Sequence, residues 1–471
     1  MFFFYFKYVK IIETIGCVYM LEKIFKLKEN NTNVVTELIA GLTTFMAMSY
    51  IIFVNPTILS QSGMDYNSVF YATIITSIIG TLFLGLYANV PYVASAGLGL
   101  NALFTYTLCG SLGFTWEESL AMVFICGILN LLITITSLRK KIIFAIPNFL
   151  QEAITVGIGL FITYCGIRNA GFVDFSVSNV NDGTALASDV VPKLANFNVM
   201  AIVLAAIGLI ITSILVVKKI KGAYLWGIII TTLIGIPLKV TSLPDFSNYS
   251  IIPSLKPTFM KLDFVGLFSA KAGLIVVFMT IMTLCLSDLF DTIGVFIGTG
   301  KKAKIFKIEN NKMPKKLEKA MFADATGTCV GAILGTSNVT TYLESSAGIE
   351  AGGRTGLTAV FAALAFAIST LLSPLVACVP MAAIAPILIL IGVSTMENVG
   401  SIDWKDTLVA IPAFFTIVMM PFAYSITTGI QFGFIFYTLL NVIRGKGKDV
   451  SLIIYIFSII FILQFVYQAL F

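Results

Sequence analysis

Apolar runs of about twenty residues, each long enough to cross roughly 30 Å of hydrocarbon as a helix, recur from Val34 to Leu440. No single water-soluble core could absorb so many. Only 11% of the 471 residues are charged, against about a quarter in soluble domains, so most of the chain must face lipid or other helices. A membrane β-barrel would show short alternating segments instead. Runs such as 202–217 do not alternate. The expected fold class is therefore an all-α polytopic membrane protein.

Fourteen spans are read at 34–58, 68–88, 92–110, 116–137, 147–168, 198–217, 222–240, 271–297, 318–334, 336–352, 355–376, 378–396, 407–424 and 427–443. The net charge of +6 is concentrated in loops and speaks of orientation, not of nucleic acid. Arg139, Lys140 and Lys141 form one cluster; Lys218, Lys219 and Lys221 form a second. Segment 301–319 holds eight lysines against two glutamates, and Arg444, Lys446 and Lys448 form a fourth cluster. Positive loops stay in the cytoplasm. With the N-terminus inside, all four clusters fall inside and the acidic segment from Asp174 to Asp189 falls outside. The expected location is the cytoplasmic membrane, multi-pass, with the lipid bilayer as solvent. Residues 1–19 read as an upstream extension before Met20, and 20–33 as a cytoplasmic lead-in. Residues 444–471 read as a tail whose apolar stretch 452–471 is either a fifteenth span or a helix lying along the membrane.

The chain has no histidine and seven cysteines without paired spacing. That removes histidine metal sites, Ser-His triads and histidine proton relays. The cysteines read as small apolar helix residues. No metal site, cofactor or catalytic residue is expected.

Two spans do not read as ordinary helices. The third carries Pro91-Tyr-Val-Ala-Ser-Ala-Gly-Leu-Gly-Leu-Asn101, and the tenth carries Gly335-Thr-Ser-Asn-Val-Thr-Thr-Tyr-Leu-Glu344. Each opens with an extended-looking stretch and then gives way to a half-helix. Extended backbone within a bilayer is tolerated only where it is buried in protein or lines a cavity. The two stand third in successive sets of seven spans. Seven is odd, so the second set is inserted upside down. Paired broken helices in inverted repeats point to a transporter's binding site.

Three acids sit where charge is costly, at least about 2.5 kcal/mol each on insertion scales. Asp288 and Asp291 lie inside span eight, and Glu344 lies in span ten. The aspartates are i and i+3, so they share a helix face; a close pair in low dielectric should hold a proton. Glu344 stands at a half-helix start, where free amides favour an acid, so a capping role is the plain alternative. Asn101, on the mirrored half-helix, is donor and acceptor at once. Phe104, Phe290 and Tyr342 are the rings nearest in sequence. Gly327, Gly331 and Gly335 form a four-residue row suited to close helix packing.

From Met20 onward the chain resembles the AzgA-like branch of the nucleobase–cation symporters, purine permeases related to the xanthine/uracil family. The resemblance is carried by the run from Glu37 to Pro56, by Gly97-Leu-Gly-Leu-Asn-Ala102 and by Asp288-Leu-Phe-Asp-Thr292. Thr341-Tyr-Leu-Glu-Ser-Ser-Ala-Gly348 and Gly352-Gly-Arg-Thr-Gly-Leu-Thr-Ala359 complete it. It implies a core domain (34–137 and 271–376) and a gate domain (138–270 and 377–443), with substrate between them where spans three, eight and ten cross. It implies substrate-binding positions at Asn101, Asp288 and Glu344, with Gly99, Thr341 and Tyr342 beside them. Proton coupling falls to Asp291, Asp288 and Glu344. A homodimer is compatible with such a fold. The chain departs from the branch at Ser95, where proline is usual, and at Ser287, where an apolar residue is common.

The expected function is proton symport of a purine base: hypoxanthine, guanine or adenine. An anion transporter or channel of the same inverted-repeat architecture is the alternative. It would want a cation in the site-lining segments, which instead carry three acids. An intramembrane aspartyl enzyme would not need fourteen spans with paired broken helices.

Overall fold

The structure, a computed structural model, describes residues 17–136, 145–177, 180–181, 184–185, 190–242, 254–269, 273–302, 305–306, 314–372 and 378–470. Residues 1–16 of the expected extension, the Arg139–Lys141 cluster and, within 301–319, residues 303–304 and 307–313 lie outside the described residues. The chain forms two compact units, Met1–Phe144 with Ile252–Leu372, and Ala145–Ile251 with Ser373–Phe471.

In chain order the first unit opens with helices α1 (Cys17–Phe25), α2 (Val34–Met48), α3 (Ile51–Leu59) and α4 (Tyr66–Phe83), then strand β1 (Ala94–Ala96). Helix α5 (Leu98–Ala102) continues as a π-helix over Leu103–Ser111, and α6 (Trp116–Ile135) follows. The second unit takes α7 (Asn148–Asn169), strands β2 (Val173–Val177), β3 (Val180–Asn181), β4 (Thr184–Ala185) and β5 (Val190–Leu194), and helices α8 (Met200–Val217) and α9 (Ala223–Gly235). The first unit resumes with α10 (Phe264–Phe268), α11 (Leu274–Lys302), α12 (Lys315–Leu334), β6 (Val339–Thr341), α13 (Ser345–Glu350) and α14 (Gly356–Ser369). The second closes with α15 (Met381–Thr395), α16 (Thr407–Phe422), α17 (Ile426–Ile443) and α18 (Leu452–Leu470).

Among the described residues eight helical segments are long and apolar enough to cross a membrane; 223–235, 356–369, 407–422 and 452–466 are apolar but shorter. Their starts are set by side chains that accept orphan amides. Asn33 accepts from the Thr36 amide at 3.0 Å and Asp65 from the Ser68 amide at 2.8 Å. Thr115 and Glu118 make a reciprocal capping box. Glu37, fully buried, receives the Arg354 and Thr358 amides, each at 2.9 Å, and so caps α14 from another helix.

Extended backbone does occupy the two expected places. β1 and β6 pair antiparallel, Ala94 with Thr341, Ser95 with Thr340 and Ala96 with Val339. The ladder alone does not satisfy every peptide group, and the residual ones are met in matching ways. Thr81 of α4 donates to the Ala94 carbonyl (3.2 Å) and accepts from the Ala94 amide (3.1 Å). Thr328 of α12 donates to the Val339 carbonyl (2.9 Å) and accepts from the Val339 amide (3.2 Å). Each threonine follows a glycine, Gly80 or Gly327, and a Cβ built on Gly327 would lie 3.9 Å from Gly80 Cα. One helix and one strand thus repeat with opposite direction about this crossing.

The glycine row of α12 serves this strand rather than a helix-helix seam. A Cβ at Gly327 or Gly331 would meet the Val339 side chain at 3.1 and 3.0 Å. Gly335 has φ of +94° and ends the helix, a left-handed position that favours glycine.

The second unit shows a reciprocal contact of its own. A Cβ at Gly159 of α7 would come within 1.6 Å of Thr395 Oγ1, and one at Gly392 of α15 within 1.7 Å of Thr163 Oγ1. Both helices start directly after a proline, Pro147 or Pro380. The segment from Val173 to Leu194, expected only as a polar loop in an all-α chain, contains strands: β2 pairs antiparallel with β5, and β3 with β4. The leftover apolar stretch is α18, and it packs antiparallel along α17. Gln431 donates to Gln464 at 2.7 Å, and the Thr438 and Ser458 hydroxyls lie 2.7 Å apart.

Candidate functional site

The crossing of β1 and β6 collects most of the expected site residues within the first unit. Asn101 is fully buried on α5; its Oδ1 accepts from the Ser337 hydroxyl, and its Nδ2 has no hydrogen-bond partner. Gly99 lies two residues before, half-buried. Tyr342 donates its hydroxyl to the Ala96 carbonyl at 2.5 Å, and the Gly97 amide donates to the Asn338 carbonyl at 2.9 Å. These bonds cross-tie the two broken spans. The ends of the two half-helices are thereby held relative to one another by backbone, the least mobile element available.

The acids around this crossing differ in setting. Glu344 is half-buried and stands immediately before α13, yet its side chain makes no cap bond. It accepts from the Tyr50 hydroxyl, in the turn between α2 and α3. Asp291 is exposed although it lies within α11, and the Thr340 hydroxyl bonds it. Its nearest acidic neighbours are Asp324 and Glu344. Asp288 is fully buried and turns to α6, where Asn130 Nδ2 donates to its Oδ2 at 2.6 Å. The two aspartates of span eight therefore lead to different partners. A three-residue step rotates the side chain by about 60° around a helix axis, enough to aim it at another neighbour.

Asp288 is tied back to the crossing through a polar relay. Asn338 Nδ2 donates to Cys126 Sγ at 3.2 Å, and Asn130 Nδ2 lies 3.7 Å from the same sulfur. The side-chain Oδ1 atoms of Asn130 and Asn338 and the Ser287 hydroxyl are buried without partners. Unpaired buried polar groups are costly, and their concentration here marks a place built for chemistry rather than packing. Ser95, at the middle of β1, pairs its hydroxyl with Ser77 at 2.7 Å.

Thr341 is buried and donates to Asp324 Oδ1 at 2.8 Å, while Thr292 of α11 donates to Asp324 Oδ2 at 2.7 Å. Asp324, fully buried in α12, joins the acid-bearing helix to β6. Reading the sequence overlooks it, although it carries the same signal as the other three: an acid inside a span, within Met321-Phe-Ala-Asp-Ala-Thr-Gly327. Tyr50 and Asn130 carry no such signal, because a tyrosine or asparagine in a helix is unremarkable until its partner is seen. Phe104 packs into an apolar cluster with Leu59, Met64, Val69 and Leu120 and is no stacking ring. The side chain of Phe290 lies outside the described residues.

Chemically, the crossing offers one orphan amide donor, several acceptors and two carboxylates that reach accessible space. The hydroxyls that meet acids here, Thr341 and Thr292 on Asp324, are buried bridges between elements. Such a set of donors and acceptors suits hydrogen bonding to a polar partner.

Known proteins agree with that character. A model of the permease family, Xan_ur_permease, matches residues 35–432. The chain is 42% identical over 449 residues to the putative permease MJ0326 of Methanocaldococcus jannaschii, covering 95% of this chain and 99% of that protein. It is 40% identical to the guanine/hypoxanthine permease PbuO of Bacillus subtilis, covering 93% of this chain and 99% of that protein. It is 38% identical to the adenine permease AdeP of Escherichia coli, covering 95% and 96%. Among solved structures, the fold is similar to the transmembrane domain of the cyanobacterium bicarbonate transporter BicA, with a TM-score of 0.59 at 17% identity, covering 84% of this chain and 96% of that one. It is similar also to SLC26A9, with a TM-score of 0.62 at 12% identity, covering 93% and 70%. With a family match across most of its length, the chain is a multi-pass membrane transporter, not an enzyme, and it belongs to the Xan_ur_permease family of permeases.

Proposed function

We propose that the protein imports purine nucleobases across the cytoplasmic membrane by proton symport, taking hypoxanthine, guanine or adenine. The observation that carries this reading is that the segments meeting at the β1–β6 crossing carry both an unpartnered amide donor, Asn101 Nδ2, and the accessible carboxylates of Glu344 and Asp291. A purine edge presents ring acceptors and N–H donors together, and a donor set facing an acceptor set complements it. Relatives named guanine/hypoxanthine and adenine permeases, matched over nearly their full lengths, support the same substrate class. Asn101, Glu344 and Asp288 bind the base, with Gly99, Thr341 and Tyr342 shaping the site. The coupling proton resides on the acids, chiefly Asp291, and no other cofactor takes part.

In this reading fourteen spans form two inverted halves, with the N-terminus inside. The antiparallel strands and the matching Gly-Thr pairs on α4 and α12 support the inversion. Segments 34–137 and 271–376 serve as the substrate-binding core, and 138–270 and 377–443 as the gate. Two copies assemble as a homodimer.

The likeness of fold to a bicarbonate transporter favours anion transport as the second reading. Carboxylates at the crossing oppose it, because like charge repels an anionic cargo. Uptake of labelled bases into vesicles under an imposed pH gradient decides between them. Accumulation of purine that collapses with the gradient supports symport. Uptake of bicarbonate or sulfate without purine uptake would select the anion reading.

A further inference from the structure

Tyr50 stands outside the expected site, in the turn where span one breaks. α2 ends at Met48 and α3 resumes at Ile51, with short-range bonds from the Ile52 amide to Ser49 and from the Phe53 amide to Tyr50 bridging the gap. The side chain is 1% exposed, and its hydroxyl donates to Glu344 Oε1. A buried phenol seeks an acceptor, and a hydroxyl bonded to a carboxylate is a charge-assisted pair, stronger than a neutral one. The bond occupies one carboxylate oxygen and leaves Oε2 for a second donor. Glu344 precedes α13 without capping it, so the Tyr50 phenol restrains its carboxylate from a remote helix turn.

We propose that Tyr50 is the positioning residue for Glu344: its phenol fixes the carboxylate's orientation and favours the anion, so that one oxygen stays available to an N–H donor of the cargo. This rests on the reading of Glu344 as an acceptor for purine N–H groups. The ionisable groups facing Glu344 are Tyr50 from the α2–α3 turn, Asp291 from α11 and Tyr342 from the approach to α13, with Asp324 of α12 beyond Asp291. The Tyr50 hydroxyl donates to the Glu344 carboxylate, and a hydrogen bond made to the charged form favours that form. Removing that hydroxyl therefore moves protonation of Glu344 to higher pH, and acceptance of N–H groups is lost over the same range.

The test uses the full-length protein in lipid nanodiscs and two changes that keep the ring. Tyr50→Phe deletes the donor; 3-fluorotyrosine placed at position 50 makes it a stronger one. The carboxyl stretching band of Glu344, identified by its loss in Glu344→Gln, is followed by infrared titration. Its midpoint should rise by about one pH unit or more in Tyr50→Phe, a tenfold change in ionisation constant, and fall with the fluorinated ring. Binding of labelled purine should drop about tenfold near neutral pH in Tyr50→Phe and recover at higher pH. A loss equal at all pH values would reveal a packing defect and overturn the proposal. So would an unmoved midpoint in both variants, or a carboxyl that titrates in none of them. A midpoint that moves in a protein that binds no purine would uphold the role of Tyr50 and remove the transport reading instead.

Discussion

Changing Glu344 to glutamine keeps the shape of the side chain and gives it a donor where the site needs an acceptor. Hydrogen bonds to charged groups contribute about 1.5–3 kcal/mol, so purine affinity should fall at least tenfold in equilibrium binding, with the protein still folded. Asp291→Asn imitates a permanently protonated acid at an exposed position. It should preserve exchange of labelled purine across vesicles while abolishing accumulation driven by a pH gradient; continued accumulation would remove Asp291 from coupling. Asn101→Ala deletes one neutral partner and should weaken binding by about 0.5–1.5 kcal/mol. Asp324 is different in kind. Its two threonine partners come from α11 and β6, so Asp324→Ala strands two buried hydroxyls and should lower stability by about 1–3 kcal/mol, read as an earlier thermal transition in detergent.

At the scale of elements, the crossing works because four pieces meet that no single segment could stabilise. Two three-residue strands are too short to stand alone in a bilayer, where every unpaired amide is costly. α4 and α12 supply the missing partners through Thr81 and Thr328. Thr328→Val should therefore cost more than an isosteric change in an ordinary helix, about 1–3 kcal/mol for the Val339 groups left unpaired, and Thr81→Val should match it. Close approach matters equally between α14 and the turn after α4. A Cβ at Gly356 would lie 1.8 Å from the Gly85 carbonyl oxygen. Gly356→Ala should force these segments apart and abolish recovery of folded protein by size-exclusion chromatography.

For the whole molecule, α18 sets a question of sidedness. Its polar contacts with α17 run antiparallel over two separate levels, Gln431 with Gln464 and Thr438 with Ser458. Such pairs hold helices together in lipid. A helix of 19 residues, at 1.5 Å per residue, matches the hydrocarbon thickness of about 30 Å. The C-terminus should then lie across the membrane from the loop bearing Arg444, Lys446 and Lys448. A C-terminal epitope should be reached by antibody on intact cells, while a cysteine at Lys446 should resist an impermeant thiol reagent. Equal protection of both would place α18 along the membrane surface.

The helical, membrane-spanning character, the two breaks and three of the four acids at the crossing were legible in the sequence because each leaves a local trace. Hydrophobicity is a property of single residues summed over a window, an extended stretch of small and β-branched residues interrupts it, and an acid within it stands out. Partnership leaves no such trace. Glu344 meets Tyr50 across 294 positions, Asp288 meets Asn130 across 158, and Asn101 meets Ser337 across 236. Sharing a helix face suggested that Asp288 and Asp291 act on each other, yet packing sends one to α6 and the other toward β6. The sequence alone determined that charge is placed inside the membrane and on which segments. Which group answers each charge was decided by the tertiary structure, because a hydrogen bond requires contact within about 3 Å and only the packing of remote helices brings these atoms that close.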